Sequence, residues 1–360
     1  MASTLDVYSS IALVGCRMVV EKEALVAMRF FLFCFSVIAL ANLVAEEAEF
    51  NTTKNRRVMV VAGAGGEEEY KSLFAEWANT LAKAFDGNSV ELVNINNELE
   101  DTDSKNIIET KLKKWVKSKT DEIWILLVGH GTFDGKQAKF NLVGDDVSDL
   151  EFQSWLKPHQ GSLVFINTSS SSAPFIRTLS GPNRVIATAT KSGYEQNFCR
   201  FGGFMAAALS QEGADLDKDG AVSVLESFLI ASRKVEEYYR ENDRLVSESA
   251  LLDDNGDGRG TPANWFRGVR IEKKVQEING ADGKLSRLVF PVVPLKERDI
   301  PQPLRNKRSK IETKIETLRS LKNSLNADVY YQDLEKLFIE LSKVNDQIES
   351  SQTSSLKESK

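Results

Sequence analysis

The chain has 360 residues, of which 42% are hydrophobic and 27% are charged, and its formal net charge at pH 7 is −6. This length allows one large domain or two of ordinary size, and the composition is typical of a soluble globular protein. Charges of both signs are interspersed, so the chain has no basic stripe of the kind that binds nucleic acid. Composition and charge therefore exclude nucleic acid as a partner.

Residues 1–50 are predicted to be an export signal. Met28 and the arginine that follows it precede an apolar run at 30–41, and small residues continue to Ala45. A positive start, an apolar segment and a small-residue cleavage site are typical of secretion, with Met28 as initiator and cleavage near Ala45. The alternative is a membrane anchor, but the run is shorter than the roughly 20 apolar residues that span a membrane. We expect an exported protein, periplasmic or extracellular, without a stable membrane span.

Cys199 is the only cysteine of the predicted mature chain, because Cys16 and Cys34 precede the predicted cleavage site. No intramolecular disulfide is then available to an exported protein. A large core or a bound metal must stabilise the fold instead. Cys199 itself lies beside two phenylalanines, which predicts a packed thiol, and His159 is predicted to be a surface residue.

A repeated strand and helix pattern predicts an α/β domain over residues 56–300, with a parallel sheet between helices on both faces. Apolar strands alternate with amphipathic or capped helices, and a polar hairpin is expected at Asp134 and the glycine after it. The strands are expected at 58–62, 89–93, 123–128, 162–166 and 184–189, and the helices at 70–81, 103–116 and 150–156. Functional residues in such sheets gather at the carboxyl ends of the strands.

Glycines follow the first predicted strand at positions 63, 65 and 66. They invite comparison with the dinucleotide motif G-x-G-x-x-G. The third glycine of that motif would fall on Glu68, so the dinucleotide interpretation is not favoured.

Residues 304–350 carry apolar residues at helical spacing in two stripes, separated at 326–328. This pattern predicts a C-terminal helical hairpin after a proline-containing linker at 301–303. The hairpin closes on itself or on the main domain, or it mediates self-association as a short coiled coil. Residues 351–360 are polar and are predicted to be a disordered tail.

A twelve-residue segment within the predicted calcium region 202–266 matches an EF-hand loop. Carboxylates stand at positions 1, 3, 5 and 12, a backbone carbonyl at 7 and a hydroxyl at 9; these residues are Asp215, Asp217, Asp219, Glu226, Ala221 and Ser223. Calcium takes six to eight hard oxygen ligands, and Gly220 at position 6 permits the sharp turn. The pattern predicts bound Ca²⁺ in a structural role, and the alternative is a solvated acidic turn.

A second segment repeats the spacing with Asp253, Asn255 and Asp257. Position 12 is Asn264, so the bidentate ligand is missing, and position 8 is Gly260 instead of an apolar residue. This segment is therefore either a weaker calcium site or an Asx-rich turn without metal.

Polar residues end two of the predicted parallel strands. Gly129, His130 and Gly131 end one apolar strand, and hydroxyl residues at 168–172 end a later one. Both ends open on the same edge of a parallel sheet, which brings a base close to several hydroxyls. That arrangement is typical of nucleophilic catalysis.

These segments resemble the caspase-like peptidase fold, and most of all its legumain-like branch. In that family one strand ends in Gly-His-Gly with the catalytic histidine, and the next ends in Glu-Ala-Cys-x-Ser-Gly with the nucleophile. Residues 124–131 match the first motif and 164–172 align with the second. Ser169 stands where the family has its cysteine, Asn167 where it has an acid, and Ser172 where it has a glycine.

The resemblance implies that in an active enzyme His130 would take the proton of Ser169 and the Gly131 amide would help to hold the oxyanion. A serine hydroxyl is far less acidic than a thiol, and no third group that orients the histidine is identifiable. The favoured interpretation is a catalytically inactive pseudopeptidase that binds a peptide or protein partner. The alternatives are an active serine peptidase and a non-enzymatic scaffold assembled through residues 304–350.

Overall fold

The computed structural model describes most of the chain after the predicted export signal; the described residues are 55–85, 90–93, 104–210, 212–272, 281–291, 300, 302–320, 322 and 325–358. The predicted signal at 1–50, with Met28 and Ala45, lies outside them. Residues 308–341 belong to one compact unit, and the remaining described residues to another. No helix in the described ranges is long and apolar enough to cross a membrane.

The strands are short, and most belong to one sheet. In chain order they are β1 (Arg56–Ala62), β2 (Val90–Val93), β3 (Glu122–Val128), β4 (Gly131–Phe133), β5 (Ala138–Phe140), β6 (Val147–Ser148), β7 (Ser162–Asn167), β8 (Arg184–Thr188), β9 (Leu251–Asp253), β10 (Thr261–Pro262), β11 (Phe266–Arg267) and β12 (Arg270–Ile271).

The helices lie between and after these strands. They are α1 (Glu68–Lys83), α2 (Ser104–Lys117), α3 (Asp149–Leu156), α4 (Pro174–Leu179), α5 (Phe201–Ser210), α6 (Val224–Glu241), α7 (Gln302–Ser320) and α8 (Ala327–Glu358).

The central sheet has seven strands in the spatial order β10-β9-β8-β7-β3-β1-β2. Strands β1, β2, β3, β7 and β8 are mutually parallel. At one edge β9 pairs antiparallel with β8, and β10 pairs antiparallel with β9. Strand β3 is the middle one of the five parallel strands, and every one of its residues is buried because helices cover both faces of the sheet. The predicted α/β class with a mainly parallel sheet is confirmed.

Alternate residues of the central strands enter two separate core layers. Trp124 and Leu126 pack on one face with residues of α1, α5 and α6, and Ile123 and Ile125 pack on the other with residues of α2, α3 and α4. Since successive side chains of a strand point to opposite faces, one apolar run supplies both layers. A separate three-stranded sheet of β4, β5 and β6 contains the predicted polar hairpin.

The C-terminal region contains the two predicted helices, α7 and α8. Helix α8 ends at Glu358, so residues 351–358, which the sequence assigns to a disordered tail, are helical. No glycine or proline interrupts the helix after Ile348. Self-association through residues 304–350 stays a prediction.

Candidate functional site

The order of the parallel strands reverses between β1 and β3, where sheets of this kind leave a crevice for ligands. Here Phe140, in strand β5 of the three-stranded sheet, and Asn141, which follows it, lie against the end of β1. The Ala64 amide donates to the Asn141 carbonyl at 2.9 Å, and a Cβ on Gly63 would lie 2.6 Å from the same oxygen and 2.9 Å from the ring of Phe140. The dinucleotide interpretation therefore has no geometric support at this crevice.

His130 follows β3 and is half-buried. Its ring packs against Tyr70, Phe74 and Phe198, with ring centroids at 5.1, 5.1 and 6.0 Å. Burial lowers the pKa of His130 because the aromatic surroundings solvate an imidazolium poorly. The apolar contacts of the ring therefore favour the neutral imidazole over the imidazolium.

Ser169 follows β7 and is 1% exposed. Its hydroxyl donates to Asn167 Oδ1 at 2.7 Å, and its backbone amide donates to the same oxygen at 3.0 Å. The described hydrogen bonds of this hydroxyl are to Asn167 and to the Ser170 carbonyl, and none of them is to the ring of His130. The serine at the nucleophile position is thus bonded within its own turn.

Gly131, which the resemblance assigns to oxyanion binding, is bonded to the same turn. Its amide donates to Ser170 Oγ at 3.1 Å, and that hydroxyl donates to the Gly131 carbonyl at 3.0 Å. A Cβ at Gly131 would lie 2.2 Å from the Ser170 carbonyl oxygen, so only glycine fits here. The Gly131 amide, which would bind the oxyanion in an active enzyme, is thus already hydrogen-bonded to the Ser170 hydroxyl.

Two of the remaining hydroxyls of 168–172, those of Thr168 and Ser172, join neighbouring strands, whereas the buried Ser171 hydroxyl has no hydrogen-bond partner among the described residues. Thr168 donates to the Leu127 carbonyl at 2.8 Å, and Ser172 Oγ accepts from the amides of Ala189 and Thr190 at 3.1 and 3.3 Å. These bonds connect the carboxyl ends of β3, β7 and β8. The sequence predicts that these hydroxyls lie at this edge of the sheet, but it does not predict their hydrogen bonds to the backbone of neighbouring strands.

Cys199 and His159 lie elsewhere. Cys199 is buried, as predicted, and burial, together with the charges of Glu248 and Glu195, raises the pKa of its thiol well above the ordinary value. The prediction that His159 is a surface residue is wrong. The residue is 7% exposed, and its Nε2 lies 3.0 Å from the Ser162 carbonyl oxygen, because the loop folds back onto the start of β7.

The acidic loop between α5 and α6 brings its first three aspartates together. Carboxylate oxygens of Asp215, Asp217 and Asp219 all lie within 4.8 Å of one another. Gly220 has a φ of 93°, which an L-residue rarely adopts, and its amide donates to Asp215 at 2.9 Å. Burial, together with the neighbouring carboxylates, raises the pKa of Asp219 to about 6.

Glu226, at position 12, lies in the first turn of α6 and folds back toward the loop. Its Oε1 accepts from the amides of Leu216 and Asp217 at 2.6 and 3.1 Å, and its Oε2 accepts from the amide and the hydroxyl of Ser223, both at 2.8 Å. Ser223 is the N-cap of α6, in a complete capping box. The amide of Ala221 donates to Asp219 at 2.9 Å, and its predicted carbonyl ligand stays a prediction.

Arg287 also contacts this loop, and the sequence analysis did not predict that contact. Its Nε and Nη2 lie 3.0 and 2.9 Å from Asp217 Oδ2. Asp217 Oδ1 is buried and has no hydrogen-bond partner among the described residues. Three clustered carboxylates, one of them with an unused buried oxygen, form a donor set that fits a hard cation such as calcium.

The second acidic segment forms a series of Asx turns. Asp253 Oδ1 accepts from the Gly256 amide at 3.2 Å, Asn255 Oδ1 from the Asp257 amide at 2.9 Å, and Asp257 Oδ1 from the Arg259 amide at 2.7 Å. Burial raises the pKa of Asp253 to about 6. Each candidate ligand side chain thus accepts a bond from the loop's own backbone.

Two comparisons with known proteins give no match: neither a family model nor a curated relative matches this chain. Among solved structures, it is similar to protein GSU0716 from Geobacter sulfurreducens, with 10% identity, coverage of 55% of this chain and 92% of that one, and a TM-score of 0.34. It is also similar to the Drosophila initiator caspase Dronc, with 10% identity, coverage of 60% and 86%, and a TM-score of 0.34. At this TM-score neither likeness carries an argument on function.

Proposed function

We propose that this protein is an exported calcium-binding protein with a caspase-like domain that has no peptidase activity and binds a peptide or protein partner. Two features support the proposal: the clustered carboxylates of the first acidic loop, and the internal hydrogen bonds of the residues at the catalytic positions.

The calcium half of the proposal is supported by the close approach of Asp215, Asp217 and Asp219, with oxygens within 4.8 Å of one another. Such a cluster of like charges is costly without a cation. Glu226 lies in the first turn of α6, where position 12 of an EF-hand loop supplies its last ligand. The site braces the start of α6, so we expect calcium to be structural.

Calorimetry and thermal unfolding test the calcium site. We expect calcium to bind with measurable heat, and a chelator to lower Tm. Asp219→Asn should weaken binding because it removes one ligand charge, whereas Asp243→Asn, an exposed change beyond the end of α6, should leave binding unaltered. A wild-type protein that gives no heat with calcium and no Tm change on chelation would contradict this half.

The inactive half of the proposal is supported by the hydrogen bonds of Ser169 and Gly131. A nucleophilic serine needs a base within hydrogen-bond reach and a free donor for the oxyanion. Here the Ser169 hydroxyl donates to Asn167 at 2.7 Å, and the Gly131 amide donates to Ser170 at 3.1 Å. Both groups are already engaged inside the fold.

A fluorescent peptide library in the presence of calcium tests this half. We expect wild type, Ser169→Ala and His130→Ala to give the same background rate of cleavage. Calcium-dependent cleavage by wild type that is lost in both variants would establish the serine-peptidase alternative instead. The calcium measurement is independent of this result, so each half of the proposal can fail alone.

A further inference from the structure

Residues 281–291 form a segment that is bonded to the first acidic loop. Two nitrogens of Arg287 lie 3.0 and 2.9 Å from Asp217 Oδ2. Two residues further on, the carbonyl of Val289 accepts from the amide of Val224, the first residue of α6, at 2.9 Å. The segment therefore holds both the loop and the helix that follows it.

The other end of the 281–291 segment is bonded to the second acidic loop in a reciprocal way. Asp282 Oδ1 accepts from the amides of Asp254 and Asn255 at 2.8 and 3.1 Å. Asp254 accepts in turn from the amides of Gly283 and Ser286 at 2.9 and 2.7 Å. The segment cannot leave the second loop without breaking several buried hydrogen bonds.

We propose that the 281–291 segment couples the calcium site to the loop between β9 and β10, and that Arg287 is the positioning residue that makes the connection. The inference rests on the proposed calcium site. Arg287 holds Asp217 Oδ2, and Asp217 Oδ1, which is buried without a described partner, is left available to a cation. Groups that orient a metal ligand in this way are part of the site although they do not touch the metal.

The coupling has a thermodynamic consequence. Without a cation, the clustered carboxylates repel one another and the loop opens more readily, which releases Arg287. If opening of the 281–291 segment requires opening of the site, calcium lowers the equilibrium constant for that opening by a factor of 1 + [Ca²⁺]/Kd, or about 100-fold at 100 times Kd. The opening equilibrium of a segment that opens independently of the site is unchanged by calcium.

Hydrogen exchange followed by mass spectrometry measures this factor. We expect calcium at 100 times Kd to slow exchange in residues 215–226 and 281–291 by up to about 100-fold. Arg287→Gln should keep the protection of 215–226 and lose that of 281–291. Calorimetry on each variant sets the calcium concentration, so that occupancy of the site is equal throughout.

Arg267→Gln is the matched control. Arg267 is 83% exposed and pairs with Glu272 on the surface, so the variant removes the same charge without touching the acidic loop. It should behave as wild type. A loss of protection in Arg287→Gln that does not occur in Arg267→Gln would then come from the lost contact with Asp217 and not from the change in net charge.

The outcomes separate the inference from the proposed function. No heat with calcium and no Tm change on chelation in wild type would remove both. Calcium that binds and protects 215–226 but leaves 281–291 unchanged would overturn the coupling and leave the calcium site standing. Full protection of 281–291 in Arg287→Gln would overturn the role of Arg287.

Discussion

Gly131 lies where the ends of β3 and β7 meet, and its lack of a side chain is a packing requirement. A Cβ there would lie 2.2 Å from the Ser170 carbonyl oxygen and 2.8 Å from Ser169 Oγ. Gly131→Ala should therefore lower the free energy of unfolding by about 1–3 kcal/mol, because backbone atoms must move apart. Urea denaturation of the two proteins measures the difference.

Gly213→Ala is the control for that change, because nothing lies within 4 Å of a Cβ at Gly213. Its free energy of unfolding should match wild type to within about 0.5 kcal/mol. An equal stability of Gly131→Ala and Gly213→Ala would contradict the close approach of the two strand ends.

For single residues, the sequence predicts which polar residues lie at the carboxyl ends of the parallel strands, but it does not predict their hydrogen-bond partners. Gly131 and Ser169 come together because both lie just beyond the ends of parallel strands, and strand ends can be predicted from apolar runs. The bond between Gly131 and Ser170 depends on the register of β3 and β7, in which Leu127 pairs with Asn167. Register is set by the packed sheet, and local sequence does not encode it.

Two helices of this protein begin with the same capping box, which offers an internal comparison at the scale of elements. Ser148 caps α3 and pairs with Glu151, and Ser223 caps α6 and pairs with Glu226. With a chelator present, Ser148→Ala and Ser223→Ala should each lower the free energy of unfolding by about 1 kcal/mol. With calcium, only Ser223→Ala should also reduce the rise in Tm, because Glu226 loses the hydroxyl that orients it.

Thermal unfolding with and without calcium compares the two variants. An equal calcium-dependent rise in Tm for both would mean that the Ser223 hydroxyl does not support the metal loop. A larger loss in Ser148→Ala would contradict the placement of calcium beside α6.

The elements that the sequence predicted well are those with a strong local pattern. Strand β3 is a continuous apolar run, and α1 repeats its apolar residues at helical spacing, so both can be predicted within a residue or two. Strands β9 and β10 span three and two residues, too few to show any period. Arg287 and Asp217 are 70 residues apart, so their contact arises only in the folded chain.

For the whole molecule, the pair Asp254 and Asp282 makes global stability depend on pH. Burial, followed by the charge of Asp254, raises the pKa of Asp282 to about 8, from an ordinary value of 3.8. Between these values the folded state holds a proton that the unfolded state releases. The free energy of unfolding should therefore fall as pH rises from about 4 to about 8, by about 1.4 kcal/mol per pH unit for one such group.

Asp282→Asn tests this dependence, because an amide keeps the shape of the protonated carboxyl and cannot ionise. Its oxygen can still accept from the amides of Asp254 and Asn255, and the Thr261 hydroxyl, which donates to Asp282 in wild type at 2.5 Å, can accept from the new NH₂ group. Urea denaturation from pH 5 to pH 9 should give a flatter profile for Asp282→Asn than for wild type, with the variant gaining relative stability toward pH 9. Asp346→Asn, an exposed change in α8, should keep the wild-type slope. A variant profile parallel to wild type would mean that Asp282 is ionised throughout this range, and that the bonds from Asp254, Asn255 and Thr261 outweigh its burial.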